Sequence, residues 1–244
     1  MPRFFATNED ILDDKIFIRG DDAYHIARAL RMAVGDSVTV SDGRGKEYLC
    51  TLSSIRDELC ECKIDSRRIS DSEPPVSITL FMAYPKGDKL ELVIQKAVEL
   101  GAVRIVPFES SRCIKRPKKD KADKTTARLQ RIADEAAKQC RRAVLPRVLE
   151  CVSYKQMLQM AAKAELPLFC YEAEENNSIY RVLSSNKSVK NISITVGCEG
   201  GFSPEEVKEA VESGLISISL GRRILRCETA PIFALSAISY EFEL

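Results

Sequence analysis

The strongest constraint on the fold of this chain is the alternation of strand-like and helix-like segments after residue 75. Apolar, β-branched runs that read as buried strands lie at residues 76–83, 103–108, 166–171, 192–196 and 215–219. Helical patterns separate them, including 86–100, 125–142 and a final apolar helix at 229–240. Because consecutive strands joined by helices pair in parallel, this alternation predicts an α/β fold with a mainly parallel sheet covered by helices.

The first 70 residues follow a different pattern. Short strands are predicted at 15–19, 37–41, 47–55 and 59–64, with a hairpin turn at Asp42-Gly43-Arg44-Gly45. Such a series predicts a small barrel. The polar, proline-bearing segment 71–75 then marks a boundary. The predicted organisation is therefore a β-domain at 1–70, a linker at 71–75 and an α/β domain at 76–244.

One helix interrupts the predicted strands of the first domain. Asp21 or Asp22 is suited to cap it, and Ile26, Ala29 and Leu30 give it an apolar face. It carries His25, the single histidine of the chain. One histidine cannot supply a histidine-based metal cage or a serine–histidine–aspartate triad.

Composition excludes some classes of protein. No apolar run reaches the length of a membrane-spanning helix, and the N-terminus lacks the apolar stretch of a signal peptide. We therefore expect a cytoplasmic protein without a membrane partner. Nine cysteines occur without a CxxC pair, and Cys60 and Cys62 would share one face of a strand. Buried reduced thiols are expected rather than a metal site.

Charge is distributed unevenly, although the formal net charge is only +1. Residues 112–131 contain nine Lys or Arg and two Asp. This local excess suits a polyanionic partner, or else it is a solvated loop.

Two glycine-bearing segments follow predicted strands and lead into helices. Residues 197–203 read Gly-Cys-Glu-Gly-Gly-Phe-Ser, and Ser203-Pro204 suits a helix start. The segment lacks both the lysine of a phosphate loop and the GxGxxG spacing of a dinucleotide turn. Two such turns at the carboxyl ends of parallel strands predict one ligand pocket.

The second segment, 220–230, places Arg222, Arg223 and Arg226 around Ile224 and Leu225. The apolar pair either lines a pocket for a flat ring or anchors the loop in the core.

On the helix at 125–142, Glu135, Gln139 and Arg142 are spaced to share one face, which either meets solvent or contacts RNA or a partner.

Taken together, these segments resemble the bacterial 16S ribosomal RNA (uracil-N3)-methyltransferases, the RsmE family of the knotted SPOUT superfamily. The resemblance spans nearly the full length and is strongest at 199–203, 220–226 and 228–230. It also includes His25 with 29–31, Lys86-Gly87-Asp88-Lys89 and Glu135-Ala136-Ala137. Two positions depart from the family pattern, because Cys198 stands where proline is usual and Cys227 where threonine is usual.

The resemblance implies a PUA-like N-terminal barrel that binds RNA and a knotted SPOUT-type parallel sheet with helices on both faces. It implies S-adenosylmethionine (SAM) as methyl donor, a homodimer, and 16S rRNA or the small ribosomal subunit as partner. The SAM-binding residues it implies are Tyr171, Glu172, Val196, Gly197, Glu199, Gly201, Leu220, Gly221, Ile224, Leu225, Thr229 and Ala230.

Methylation of uridine N3 needs a base, or a cation that stabilises the uracil anion. Arg226 is the candidate cation, and Glu199 and Glu228 are candidate bases. Phosphate contacts are expected from Arg28, Arg31, Lys86, Arg112, Lys115, Arg116, Arg141 and Arg142. Two alternatives stay open: another SPOUT activity such as ribose 2′-O methylation, and a non-catalytic protein of rRNA binding or ribosome assembly.

Overall fold

The computed structural model describes residues 1–114 and 122–244 and contains two compact units. The first comprises Met1–Glu73 with Ala137–Leu145, and the second comprises Pro74–Ala136 with Pro146–Leu244. The division between Glu73 and Pro74 lies within the segment predicted as a linker. The sequence had assigned Ala137–Leu145 to the second domain, whereas the structure packs this segment with the first unit.

The first unit contains a five-stranded sheet in the order β1-β3-β4-β5-β2. Its strands are β1 (Arg3–Phe5), β2 (Lys15–Arg19), β3 (Ser37–Ser41), β4 (Lys46–Ile55) and β5 (Leu59–Ile69). All pairs are antiparallel except β1 with β3, and β1 was not predicted. The predicted hairpin joins β3 to β4, where Asp42 Oδ1 accepts hydrogen bonds from the N–H groups of Arg44 and Lys46.

Alternating apolar residues of these strands form the core of the first unit. Ile16, Ile18, Val38, Val40 and Leu52 are all at most 1% exposed. The side chains of Cys60 and Cys62 are both buried in this core, as predicted, and both are free thiols. In the described part of the chain, no group of three His, Cys, Asp or Glu is arranged to hold a metal ion.

The helix of the first unit begins as α1 (Asp21–Tyr24) and continues as a π-helical turn, His25–Ala29. Gly20 precedes it and no side chain caps it, so the predicted Asp cap was wrong. Ile26 is buried as predicted, but Ala29 and Leu30 are exposed. The wider π turn explains the difference: the Leu30 N–H bonds five residues back to His25, which displaces the apolar periodicity.

The second unit is built on a seven-stranded parallel sheet in the order β12-β10-β11-β6-β7-β8, with β9 also paired to β7. Its strands are β6 (Ser77–Ala83), β7 (Ala102–Glu109), β8 (Arg147–Val148), β9 (Val152–Ser153), β10 (Leu166–Cys170), β11 (Asn191–Val196) and β12 (Ile216–Ile218). The predicted parallel sheet is therefore confirmed, and each of its five predicted strands is present.

Helices alternate with these strands. They are α2 (Lys89–Glu99), α3 (Ala122–Gln139, whose last residues belong to the first unit), α4 (Tyr154–Ala161), α5 (Ile179–Ser184), α6 (Pro204–Glu212) and α7 (Thr229–Glu243). Contacts of α4 with β6, β7 and β11, and of α7 with α2 and β11, cover the sheet. Within the described residues, none of the helices is both long enough and apolar enough to cross a bilayer.

The end of α3 differs from the prediction. The Arg141 N–H bonds to the Lys138 carbonyl and the Arg142 N–H to the Ala137 carbonyl, which is a Schellman motif with Arg141 in the left-handed region at φ 63°. Arg142 is therefore past the helix and does not extend the polar face of Glu135 and Gln139. Its side chain is buried and pairs with Glu73 at 2.6 Å.

Candidate functional site

The carboxyl ends of three adjacent parallel strands, β12, β10 and β11, lie at one edge of the sheet. The segments that follow them are Tyr171–Glu172 after β10, residues 197–203 after β11 and residues 219–228 after β12. These segments surround a cavity of about 500 Å³. A cavity of this size suits a small organic ligand, and its position is the usual one in open α/β sheets.

The loop after β11 brings backbone close to a carboxylate. Gly201 has φ +62°, and a Cβ added there would lie 2.8 Å from Glu172 Oε1. Phe202 anchors the loop, since its buried ring lies 4.3 Å from that of Phe169. Ser203 then caps α6, as the sequence predicted, and it does so in a capping box with Glu206. The loop is thus fixed at both ends while Gly201 keeps space open beside Glu172.

The loop after β12 presents its apolar pair outward. Ile224 is 86% exposed and lines the cavity, and Leu225 beside it is half-buried. The alternative in which Ile224 anchors the loop in the core was therefore wrong. The Arg226 carbonyl accepts hydrogen bonds from the N–H groups of Thr229 and Ala230, which ties the loop to the start of α7.

A lysine joins the two loops. The Lys89 ammonium lies 3.0 Å from Glu199 Oε1 and 3.2 Å from Glu228 Oε2. It also approaches Cys227 Sγ at 3.8 Å, and that thiol donates to Glu228 Oε2 at 3.3 Å. We call Lys89, Glu199, Glu228 and Cys227 the charged cluster. It connects the amino end of α2 with the loops after β11 and β12.

Both carboxylates of the charged cluster are ionised at neutral pH. Partial burial acts to raise the pKa of Glu199, but its own N–H, the Lys89 ammonium and the Lys86 N–H outweigh burial and lower it. For Glu228, burial is likewise outweighed by its own N–H, the Cys227 thiol and Lys89, so its pKa is also lowered. The two carboxylates in turn raise the pKa of Lys89. Burial raises the pKa of Cys227 to about 12, which keeps it a neutral thiol.

The structure brings most of the predicted ligand-binding residues to this cavity. Tyr171, Glu172, Val196, Gly197, Glu199, Gly201, Leu220, Gly221, Ile224, Leu225 and Ala230 line it, as does Arg226. Thr229 is exposed and does not line it. Glu228 does not line it either, and its link to the cavity is the ion pair with Lys89, which does.

The predicted phosphate contacts have different surroundings. In the first unit Arg31 and Arg141 are exposed, and Arg28 is exposed but pairs with Asp57 at 2.6 Å. Arg142 is buried and paired with Glu73, so its prediction as a phosphate contact is corrected.

In the second unit Lys86 is exposed, while Arg112 donates to the Gly200 carbonyl at 2.8 Å and braces the loop after β11. Lys115 and Arg116 lie outside the described residues.

Sequence reasoning missed Lys89 as a site residue. It also missed Cys170, Phe202 and Ser219 as lining residues. A usable signal existed for Lys89. It starts the helix that follows β6, and β6 is the neighbour of β11, so its helix begins at the same edge of the sheet.

The parallel sheet with its loop-lined cavity and the preceding β-unit match two family models, which define the class as an RNA methyltransferase with a PUA domain. A family model described as an RNA methyltransferase domain matches residues 72–239, and one described as an RNA methyltransferase PUA domain matches residues 18–65. The ribosomal RNA small subunit methyltransferase E of Bacillus subtilis is 36% identical over 100% of this chain and 98% of its own length. The chain belongs to the ribosomal RNA small subunit methyltransferase E family.

Two further relatives agree with this assignment. The enzyme of the same description from Synechocystis is 30% identical over 97% of this chain and 77% of its own. The crystal structure of ribosomal RNA small subunit methyltransferase E from Neisseria gonorrhoeae, bound to S-adenosyl methionine, is 30% identical with a TM-score of 0.85. It covers 98% of this chain and 97% of its own.

Proposed function

We propose that this protein transfers a methyl group from SAM to N3 of one uridine in the 16S rRNA of the small ribosomal subunit. The observation that carries the proposal is the cavity at the carboxyl ends of β10, β11 and β12, walled by a glycine turn, an apolar pair and the Arg226 loop. Membership of the methyltransferase family supports the same reaction class.

The residues of the cavity fit SAM. Its volume of about 500 Å³ lies in the range of small-molecule sites. Ile224 and Leu225 offer apolar surface for the adenine ring, and the Gly201 backbone leaves room that a Cβ would fill. Glu172 supplies an anionic, hydrogen-bonding group for the ribose hydroxyls or the ammonium group of SAM. When bound, SAM supplies a methyl group activated by its sulfonium charge.

Arg226 is proposed to stabilise the uracil as it loses its N3 proton. Its side chain is exposed and lines the cavity, where the cation can face a uracil carbonyl oxygen. Negative charge on that oxygen grows as the N3 proton passes to water, and a nearby cation stabilises that charge.

Glu199 and Glu228 are proposed to act mainly as braces. Their lowered pKa values make them weak bases. A carboxylate beside the sulfonium would also stabilise the ground state more than the transition state, because methyl transfer consumes the positive charge. Bound to Lys89, the pair instead holds the loops after β11 and β12 at a fixed separation.

For RNA, Arg28, Arg31 and Arg141 in the first unit and Lys86 in the second are the proposed phosphate contacts. Phosphate contacts release condensed counterions, so RNA affinity should fall steeply as salt rises. A titration across salt concentrations with wild type and Arg31→Ala tests this, and the variant should show a shallower slope. A flat response for wild type would contradict it.

The proposal also includes a homodimer, a trefoil knot in the second unit and a cytoplasmic location. Support for the dimer comes from α7, which leaves Phe233 and Tyr240 exposed at 41% and 71%. Apolar side chains of this size on one helix suit burial against a second copy. Sedimentation velocity of wild type and Phe233→Glu tests it, since the variant should dissociate.

The deciding experiment is mass spectrometry of nucleosides from rRNA incubated with the protein and isotopically labelled SAM. We expect label in 3-methyluridine at one position. Label in a ribose 2′-O-methyl nucleoside would show the alternative activity. SAM binding without label in any nucleoside, on naked rRNA and on small subunits, would contradict catalysis.

A further inference from the structure

Two cysteines meet beside the cavity, although they come from different loops. Cys113 follows β7 and Cys198 follows β11. The Ser110 hydroxyl contacts both sulfurs, at 3.3 Å for Cys113 and 3.9 Å for Cys198. The Ser110 N–H also donates to the Cys113 sulfur at 3.4 Å. Three sulfur and oxygen atoms thus form one buried polar cluster.

The two thiols are not equivalent. Hydrogen bonds from Cys113, the Gly200 N–H and Ser110 outweigh burial and lower the pKa of Cys198. The hydrogen bond to Cys198, together with burial, raises the pKa of Cys113. Cys198 is therefore the more readily ionised thiol of the two.

The two cysteines also differ in their position relative to the cavity. Cys198 is one of the residues in the wall of the cavity, whereas Cys113 is not among the residues that line it. Reactive cysteines are those with thiolate character, access and a nearby second thiol. The Cys198–Cys113 pair combines a second thiol nearby with a place for Cys198 in the cavity wall, where a molecule as small as hydrogen peroxide would enter.

We propose that Cys198 and Cys113 form a peroxide-sensitive dithiol in the wall of the ligand cavity. The Cys198 thiolate attacks one oxygen of hydrogen peroxide and breaks the O–O bond, giving a sulfenic acid and a hydroxide that is protonated to water. The Cys113 sulfur then attacks the Cys198 sulfur, its proton leaves with the hydroxyl group as water, and a disulfide forms. Two thiols are oxidised and one peroxide is reduced.

The disulfide changes the cavity. Bonded sulfurs lie about 2.05 Å apart, so we expect bond formation to draw the Cys198 side chain and its loop toward the segment after β7. Glu199, the next residue, would then shift relative to Lys89. We expect oxidation to weaken SAM binding by about tenfold, within the usual range for coupled sites. This consequence for SAM rests on the proposed function, whereas the disulfide itself does not.

The test treats the full-length protein with stoichiometric hydrogen peroxide. Peptide mapping should then show a disulfide linking Cys113 to Cys198, and calorimetry should show weaker SAM binding that dithiothreitol restores. Cys113→Ser should yield a dimedone adduct on Cys198 and no disulfide to it. Cys151→Ser, which changes a half-buried cysteine elsewhere in the second unit, should behave as wild type.

Absence of the Cys113–Cys198 peptide from oxidised wild type would overturn the proposal, as would unchanged SAM affinity in protein that carries the disulfide. If the reduced protein binds no SAM, the proposed function fails, while peptide mapping still decides whether the dithiol forms.

Discussion

The ammonium of Lys89 is shared by two carboxylates, Glu199 at 3.0 Å and Glu228 at 3.2 Å, that belong to separate loops of the cavity. A single cation therefore sets the spacing of the loops after β11 and β12. Without it the two carboxylates would repel each other, and the pKa of Glu199 would rise toward its ordinary value.

Lys89→Met should lower methyl transfer and move the acid limb of the pH–rate profile to higher pH. The loss should be on the order of tenfold, as expected when one positioning interaction is removed. Steady-state kinetics across pH measure both effects. Lys96→Met is the matched control, because Lys96 also lies on α2 but pairs with Glu99 in a surface i,i+3 ion pair. An acid limb that does not move would contradict the role.

Arg226→Ala should reduce turnover far more than SAM affinity. The guanidinium is proposed to stabilise charge that develops only in the transition state, so its loss should lower kcat by on the order of a hundredfold. Single-turnover kinetics and calorimetry separate the two quantities. A large loss of SAM binding with normal single-turnover chemistry would instead make Arg226 a cofactor ligand.

Gly201→Ala should weaken SAM binding and reduce stability. The alanine would adopt a left-handed conformation at a cost of about 1–2 kcal/mol, and its Cβ would lie 2.8 Å from Glu172 Oε1. Gly214→Ala is the control, since Gly214 also has positive φ but has no atom within 4 Å of the added Cβ. The unfolding temperature should fall for both variants, whereas the SAM affinity measured by calorimetry should fall only for Gly201→Ala. Equal affinity in the two variants would argue against close packing at Gly201.

Arg141→Gly should stabilise the protein while weakening RNA binding. Glycine removes the strain of the left-handed conformation at φ 63°. Glycine also makes the unfolded chain more flexible, which offsets part of this effect. The net increase in the free energy of unfolding should be about 0.5–1 kcal/mol. Urea unfolding measures the gain. Arg141→Ala loses the same charge but keeps the strain, so it should show weaker RNA binding without added stability. Unchanged RNA affinity in both variants would remove Arg141 from the phosphate contacts.

Glu47→Gln should destabilise the protein at neutral pH and much less in acid. Although burial acts to raise the pKa of Glu47, hydrogen bonds from Ser70, Arg3 and Arg68 lower it overall. A depressed carboxyl pKa adds stability above the unfolded pKa of 4.5, and that stability is lost as pH falls through the folded value.

The difference from wild type should be about 2 kcal/mol at neutral pH and should shrink toward about pH 3. Urea unfolding at both pH values measures it. Glu61→Gln, at an exposed pair with Lys15, should change little. If the difference in the free energy of unfolding between Glu47→Gln and wild type stays constant with pH, the proposed role of the Glu47 charge is contradicted.

Local patterns in the sequence were enough to predict the parallel sheet and the edge where its loops meet. Strand-like runs alternate with helical ones, and the topology then brings Gly201 and Ile224 to one cavity. The cap at Ser203 was also predictable, because its partner Glu206 is three residues away.

Features that depend on distant partners were not predictable in this way. The burial of Arg142 depends on Glu73, which is 69 residues away, and on a left-handed Arg141 where glycine is the usual residue. The π turn at His25–Ala29 inserts one residue into a helical period that otherwise looks regular. Lys89 joins the site only because β6 lies beside β11.

The buried contacts of the Ala137–Leu145 segment affect when the first unit can fold during translation. Ser41 Oγ donates to the Ala143 carbonyl at 2.6 Å, and Glu73 accepts from the N–H groups of Ala143 and Val144. Domains generally fold from the N-terminus as they are synthesised. Here the N-terminal unit must wait until residue 145 has emerged from the ribosome, so more than half of the polypeptide is translated before its first domain is complete. A fragment cut at residue 73 would lack these contacts.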